Sequence, residues 1–549
     1  MIAKYLRMSA SVLTAVTLAV GGPGSLWADS KRYDPPTNTP IKHIVVLFQE
    51  NVSFDHYFAT YPYATNPEGE PQFYPDPATP RANNLLSGGL LTSNPNTTQP
   101  FRLDRSCPLT SDQNHSYTPE QKSFDHGLMD MFVQDTGTAG TSCLDVTSGP
   151  GIVMGYYDGN TTTALWNWAQ HYALSDNFYG TMFGPSTVGV LNLVAGSTTN
   201  VTITGETTAS GTIAGGGPTS GTLIGDIDAG YDDCSTKSTH GTTTDPNVGI
   251  LLNAKSITWG WFQGGFAPTS LYNGTTVTKS VCASESSDSA TGLSDITDYV
   301  SHHNGFAYNA LTANPHHLPP TGTVGYTDQA NHGYDLSLFL SAITDGTLPS
   351  VSFVKAKAFQ NGHPGNSTPL DEQTWLATAV NAIEGSKYWD DTAILITYDD
   401  SDGWYDHQMD TVVNQSSSSA DDYLSAPGAC GTTPVGGAPG RCGYGPRLPL
   451  LLISKWARVN YIDSRMTDQS SVIRFIEDNW SLGRLGGDSN DVKAGSLLGM
   501  FDFDHAAKKV IVDTGTGEPI DQEPGFGGIY GFDAFGFGGY NAFGFPLFF

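Results

Sequence analysis

The sequence predicts an α/β fold: a central, mostly parallel sheet flanked by helices, carrying loop-rich and short-strand insertions. Two apolar runs are the first ground for it, His43-Ile44-Val45-Val46-Leu47-Phe48 and Ala393-Ile394-Leu395-Ile396-Thr397-Tyr398. Neither alternates polar with apolar residues, which marks strands buried on both faces, as in parallel sheets. Each run then ends in oxygen-rich residues, Glu50-Asn51 after the first and Asp399-Asp400 after the second. Functional groups in open α/β sheets gather beyond the carboxyl ends of the strands. Two strands far apart in sequence would therefore bring their acidic residues to one edge. The third ground is the rhythm after residue 330, where helical and strand patterns alternate.

Taken in order, the chain opens with Lys4 and Arg7, an apolar stretch from Val12 to Val20, and small residues up to Ala28-Asp29. This is the layout of a secretory signal peptide over 1–28, and it places the protein outside the cytoplasm, secreted or periplasmic. The run is shorter than the roughly 18 apolar residues a membrane anchor needs, so no stable membrane insertion is expected. Residues 29–42 are polar and Pro-rich and read as an exposed leader. The catalytic body is expected over 43–524. Within it, 62–112 are rich in Pro, Asn and Thr and read as loops. Residues 162–173 have helical spacing at Ala164, Leu165, Trp168 and Tyr172. Gly184-Pro185-Ser186 precedes the apolar segment 188–195 and reads as a helix start. Thr, Ser and Gly dominate 197–247, which predicts an insertion of short strands and loops away from the core. Residues 334–343 and 371–383 have helical spacing, with a strand at 350–354 between them. Another buried strand is expected at 448–454, with Pro449 near its start, where a missing N–H is tolerated. Thr467 or Asp468 then caps a helix running to Trp480. The tail, 525–549, is Gly- and aromatic-rich and nearly uncharged, and carries no fold signal.

Composition bounds the partners. With 54 acidic against 25 basic residues the formal charge is −29, a surface that repels nucleic acid and anionic lipid. Six cysteines in an exported chain suggest disulfides, and Cys430 with Cys442, flanking a Gly/Pro-rich loop, is the favoured pair. No Cys/His spacing of the zinc-site kind occurs.

Glu50, Asn51, Asp399 and Asp400 are hard oxygen donors suited to a divalent cation such as Ca²⁺, Mg²⁺ or Mn²⁺. One acidic pair at a strand end is commonly only a turn or cap. Two such pairs on separate buried strands are harder to explain that way, because uncompensated buried carboxylates are costly. Ser186, at the start of a helix, lies where free N–H groups and the helix dipole favour an alkoxide or a bound phosphate. Read alone, it is more readily an ordinary capping serine than a functional one. His115 follows Asp112-Gln113-Asn114, His316-His317 sit in a Pro-flanked loop, and His363 stands between Asn361-Gly362 and Pro364-Gly365. Grouped in an acidic pocket, these imidazoles could bind phosphate oxygens and protonate a leaving group. His126, His171, His302, His303 and His332 share no such context.

At these residues the sequence resembles the bacterial phosphoesterase family of secreted acid phosphatases of the A type and phosphocholine-preferring phospholipases C. The matching blocks run from Ile44 through Glu50-Asn51-Val52-Ser53-Phe54-Asp55-His56 to Phe58, then Asp112-Gln113-Asn114-His115 and Leu174 through Gly184-Pro185-Ser186. They continue with Val351 through His363-Pro364, Asp399-Asp400 through Asp406-His407, and Asp468-Gln469-Ser470-Ser471. The resemblance implies an alkaline-phosphatase-like fold. It also implies one divalent metal ion on Glu50, Asn51, Asp399 and Asp400, with Ser186 as nucleophile and ligand, and His115, His316, His317 and His363 lining the phosphate site. Val52, Ser186-Thr187-Val188-Gly189, Asp399-Asp400 and Asp468-Gln469 depart from the phospholipase pattern and lean toward the acid phosphatases. The expectation is a metal-assisted acid phosphatase taking a small phosphate ester through a phosphoserine. A phospholipase C is the second reading, with Trp404 and Tyr405 as contributors to a choline cage. A surface-binding protein using the 197–247 insertion and the tail is the third.

Overall fold

The computed structural model of the protein describes residues 35–520, apart from 107, 139–148, 206–212, 218–219, 410, 419, 425–429 and 431–437. The signal peptide, the 525–549 tail, Cys107 and Cys143 thus lie outside the described residues. Contacts divide the chain into Met1–Pro36 and Thr37–Phe549, and all that follows concerns the second unit.

Its centre is a nine-stranded sheet of β1 (His43–Gln49), β2 (Ala173–Tyr179), β3 (Trp259–Gln263), β4 (Gly333–Asp335), β5 (Val351–Lys355), β6 (Thr392–Tyr398), β7 (Arg447–Ser454), β8 (Tyr461–Asp463) and β9 (Thr467–Asp468). The order across the sheet is β4-β3-β5-β1-β6-β7-β2-β8, with β9 also paired to β2. Every pairing is parallel except those of β7, which runs antiparallel to both β6 and β2. The expected mostly parallel sheet is therefore present. Ile44 to Phe48 and Ala393 to Ile396 are all fully buried. Successive side chains of a strand point to opposite faces, so both faces of the sheet are covered. Pro449 falls where the β7–β2 register shifts between Leu448 and Leu450, the kind of irregularity that accepts a residue without an N–H.

The helices that matter for the site are α1 (Phe54–Phe58), α2 (Tyr117–Phe124), α3 (Thr163–His171), α4 (Ser186–Ala195), α5 (Ser337–Thr344), α6 (Pro369–Glu384) and α7 (Ser470–Trp480). α3 and α5 pack on α6, and α4 packs on α7. The end of the expected leader is docked rather than free: Ile41 is buried, and the Asn38 N–H donates to the Asn479 carbonyl at the end of α7 (2.8 Å).

The Thr/Gly-rich insertion does form a small sheet, from Val201–Gly205, Ile213–Gly217, Ser220–Leu223, Asp228–Ala229 and Thr239–Thr243. It does not lie away from the core. Val201, Leu223 and Ile227 pack with Leu191 of α4, because each is an apolar side chain on the inner face of an otherwise polar strand or turn. Two disulfides are described, the expected Cys430–Cys442 and Cys234–Cys282. No helix among the described residues is long and apolar enough to cross a membrane.

Candidate active site

The β1–β6 register sets Gln49 opposite Tyr398, so Glu50-Asn51 and Asp399-Asp400 leave the sheet side by side. Asn51 has φ +54, a left-handed turn that Asn tolerates better than most residues. Oriented so that both atoms of its amide are satisfied, Asn51 donates to Asp399 Oδ1 (2.8 Å) and Glu50 Oε2 (3.2 Å) and accepts from His363 Nε2 (3.1 Å). Glu50, Asn51, Asp399 and Asp400 are all buried.

Ser186 opens α4, and its Oγ donates to Asp400 Oδ2 (3.2 Å). Three contacts hold the serine turn against the metal-type loops. The Gly184 N–H donates to Glu120 Oε2 (2.9 Å), while Glu120 Oε1 accepts from Ser401 Oγ (2.8 Å). The Thr187 N–H donates to Asp226 Oδ1 (2.9 Å), a residue of the insertion. One turn into the helix, a Cβ on Gly189 would stand 2.1 Å from the Asp399 carbonyl oxygen, so only glycine lets α4 lie this close to the end of β6. The Asp468-Gln469 block closes the arrangement, since Gln469 Nε2 donates to the carbonyls of Tyr398 (3.2 Å) and Asp399 (2.5 Å).

The charges are crowded. Lys355, the last residue of β5, sets its Nζ 2.5 Å from Glu50 Oε1 and 3.3 Å from Asp399 Oδ2. His303 Nδ1 lies 2.8 Å from the same Glu50 oxygen, and its ring meets that of His302 edge-on. Burial, with Glu50 beside it, pushes the Asp399 carboxyl up to about 6. Burial raises Asp400 as well, with Asp399 and Glu120 adding to it and His115 opposing. Glu120 is pushed up to about 7 by burial. Burial drives the His303 imidazole well down, helped by His302 and Lys355. Burial also opposes a charge on His115, yet Asp400, Asp402 and Asp112 outweigh it and hold that imidazole well above the usual histidine range.

His115 Nδ1 is anchored by the Gln113 carbonyl (2.9 Å) and Asp402 Oδ1 (3.0 Å), and its ring stands 6.2 Å from that of His363. Asp112, His115, His363 and Asp402 together bring possible metal-ligand atoms within 4.8 Å of one another. The predicted ligand set lies just across Asn51 from them. Hard oxygen donors with excess negative charge, buried, fit a divalent cation, and such an ion would relieve the pressure that raises these acids.

Of the sequence-predicted residues, Glu50, Asn51, Ser186, Asp399, Asp400, His115 and His363 come together. His316 and His317 do not join them. His316 pairs with Asp233 (2.7 Å) and stacks on Tyr272, while His317 pairs with Asp232 (2.8 Å) and stacks on Phe266 beside the Cys234–Cys282 bridge. The other doubled pair, His302-His303, reaches the carboxylates instead. Both doublets carry the same sequence signal, and the Pro-flanked one is the pair that lies elsewhere. Lys355 was also missed, although a charged residue ending an apolar strand is the pattern that exposed Glu50 and Asp399. Trp404 and Tyr405 form no cage: Trp404 is fully buried against His56 (3.9 Å), and Tyr405 is buried edge-on to Phe132.

Further along, the loops after β1 and β6 are joined again. Arg447, fully buried on β7, contacts Asp406 (3.1 Å) and Asp55 (3.4 Å), and His407 Nδ1 lies 2.5 Å from Asp55 Oδ2. Asp55, Asp406 and His407 resemble a second metal group by distance, but the guanidinium already supplies the cation there.

A mixed α/β sheet thus sets a helix-opening serine beside paired buried carboxylates at one edge. The Phosphoesterase family model matches residues 41–483, and the chain belongs to that family. It is 24% identical over 492 residues to the non-hemolytic phospholipase C of Burkholderia pseudomallei, covering 86% of this chain and 60% of that protein. Against the hemolytic phospholipase C of Pseudomonas aeruginosa it is 24% identical over 498 residues, covering 87% and 58%. The chain thus spans about three fifths of the length of these relatives. A protein in the alkaline phosphatase superfamily from Vibrio parahaemolyticus superposes over 62% of this chain and 65% of its own, at 13% identity and a TM-score of 0.28. Family membership makes the enzyme readings primary over a surface-binding protein.

Proposed function

We propose that the chain hydrolyses phosphate esters with Ser186 as nucleophile, and that its substrates are the phosphodiester head groups cleaved by phospholipases C. The observation that carries the first part is the Ser186 Oγ hydrogen bond to Asp400, at the meeting point of α4 and the β6 loop. Similarity to phospholipases C along most of the chain supports the second.

Ser186 attacks phosphorus and displaces one alcohol, leaving the serine esterified to the phosphoryl group with its remaining substituent; water then releases that phosphate ester and restores the hydroxyl. Asp400 accepts the serine hydrogen bond and is placed to take its proton. A divalent cation on Glu50, Asn51, Asp399, Asp400 and Ser186 would supply Lewis-acid stabilisation of the phosphoryl oxygens. His115 is oriented through Nδ1 by Gln113 and Asp402. Its Nε2 has no hydrogen-bond partner among the described residues, which leaves it the role of protonating the departing oxygen. His303 and His363 steady Glu50 and Asn51.

A phosphomonoesterase is the second reading. It is favoured by the four departures from the phospholipase pattern and by the burial of Trp404 and Tyr405 away from any choline. The disulfides support a site of action in an oxidising compartment, outside the cytoplasm. The test is hydrolysis of p-nitrophenyl phosphorylcholine and p-nitrophenyl phosphate by the full chain with Mn²⁺ or Ca²⁺, beside Ser186→Ala. Turnover of the diester that vanishes in the variant is expected. Turnover of the monoester alone would give the second reading, and equal activity in parent and variant would remove Ser186 from the chemistry.

A further inference from the structure

We infer that Lys355 is a fixed cation built into the carboxylate centre, seated where a second divalent ion would otherwise bind, so that the centre takes one such ion and no more. The inference rests on the metal reading of Glu50, Asn51, Ser186, Asp399 and Asp400 proposed above.

The surroundings of the ammonium carry it. Lys355 Nζ lies 2.5 Å from Glu50 Oε1, 3.3 Å from Asp399 Oδ2 and 3.3 Å from the Gln49 carbonyl. His303 Nδ1 adds a nitrogen 2.8 Å from the same Glu50 oxygen. Two carboxylate oxygens and a backbone carbonyl around one point are hard oxygen donors of the kind a divalent ion takes, and His303 fixes the shared Glu50 oxygen in place. The side chain is 1% exposed, and its ammonium lies 4.7 Å from the Phe48 ring centre, so it cannot swing out to water.

Lys355 also divides the two carboxylates. Glu50 Oε1 and Asp399 Oδ2 face the ammonium, while Glu50 Oε2 and Asp399 Oδ1 face Asn51. Asp400 Oδ2 stands on the Ser186 side. Three buried carboxylates are balanced by one lysine and one divalent ion. A second ion would leave the centre positive and would sit within a few ångströms of the ammonium, which repels it strongly in a buried setting. Lys355 is thus a positioning residue: it acts through Glu50 and Asp399 rather than on the substrate.

The experiment counts metal. The full chain, stripped and then equilibrated with excess Mn²⁺, is measured by elemental analysis and electron paramagnetic resonance. Wild type is expected to hold one Mn²⁺ at the carboxylate centre, with no spin-coupled pair. Lys355→Met should hold one more ion than wild type and show spin coupling, since Glu50 and Asp399 would then bridge both ions. Lys355→Arg, which keeps the charge, should match wild type. An ion on the His115–Asp402 group would be counted in parent and variant alike, so the difference between them is decisive. Lys355→Gln replaces the Met variant if that one does not fold, and the wild-type spectrum needs no variant at all. A spin-coupled pair in wild type, or an unchanged count in both neutral variants, overturns the inference while leaving the metal reading intact. A wild type that binds no Mn²⁺, Ca²⁺ or Zn²⁺ overturns the metal reading itself.

Discussion

Ser186 and Asp400 make the hydrogen bond on which the proposed chemistry turns (3.2 Å), and the residues around them differ in what they should cost when removed. Ser186→Ala should lower kcat by about a thousandfold or more, as loss of a nucleophile does, while the melting temperature moves by no more than about 3 °C. The two doubled histidines should separate cleanly. His303 orients Glu50, so His303→Ala should reduce kcat/KM or metal affinity about 10- to 100-fold, the usual loss when the partner of a metal ligand goes. His317 is bonded to Asp232 and stacked on Phe266. His317→Ala should therefore cost about 1–3 kcal/mol of stability, as an unpaired buried group does, with kcat/KM changed only a few-fold. Steady-state kinetics and thermal melts on both variants check the pair. The seven site residues that did come together were legible because each ended an apolar strand, opened a helix or stood in a motif with spacing. His302 and His303 were not, because the contact that gives His303 meaning, with Glu50, spans some 250 residues and leaves no local pattern.

Helix α4 owes its place to the absence of one carbon atom. Gly189→Ala would ordinarily gain about 1 kcal/mol of helix propensity. Here the new methyl would meet the Asp399 carbonyl at 2.1 Å, and overpacking of that kind costs about 1–3 kcal/mol. The variant should be less stable and should lose most of its activity, because α4 carries Ser186 away from Asp400; a urea melt and an assay together check this. The ion cluster that joins the β1 and β6 loops predicts a pH dependence. Burial works against the Asp55 charge, but His407 and Arg447 hold that carboxyl below its usual range. Burial likewise opposes the charge on His407, yet Asp55 holds the imidazole above its usual range. A depressed carboxyl stabilises above its unfolded value, about pH 3.9, and a raised imidazole stabilises below its unfolded value, about pH 6.5. His407→Asn should therefore cost most between about pH 4 and 6.5, on the order of 1–3 kcal/mol. The cost should shrink as pH rises through the folded value of His407, which lies above 6.5. At this scale the buried strands β1, β6 and β7 and helix α6 were readable from unbroken apolar runs or helical spacing. β2 was not, because Ser175, Asp176 and Asn177 interrupt it; tertiary pairing with β7 overrides that polar stretch.

For the whole molecule, the small sheet and the disulfides decide how firmly the site is framed. Cys234–Cys282 closes a loop of 48 residues, which the chain-entropy model values at about 4 kcal/mol. Cys234→Ser with Cys282→Ser should lower stability by up to that amount, read by guanidinium unfolding of parent and variant. The expected α/β architecture and its functional edge were visible in advance, whereas the docking of the insertion on α4 was not. That contact depends on Leu223 and Ile227, single apolar residues in a Thr/Gly-rich stretch whose composition signals solvent. The strand order has a consequence in time. Among the described residues β1 pairs with β5 and β6 alone, and some 300 residues separate its end at Gln49 from Val351. At a synthesis rate of about 5–20 residues per second, roughly 15–60 s pass before either neighbour exists. For that interval the newborn chain carries Ile44-Val45-Val46-Leu47-Phe48 with both edges unpaired, a segment of the kind that associates with other chains. Only when the second half arrives can those edges be covered and the carboxylates meet.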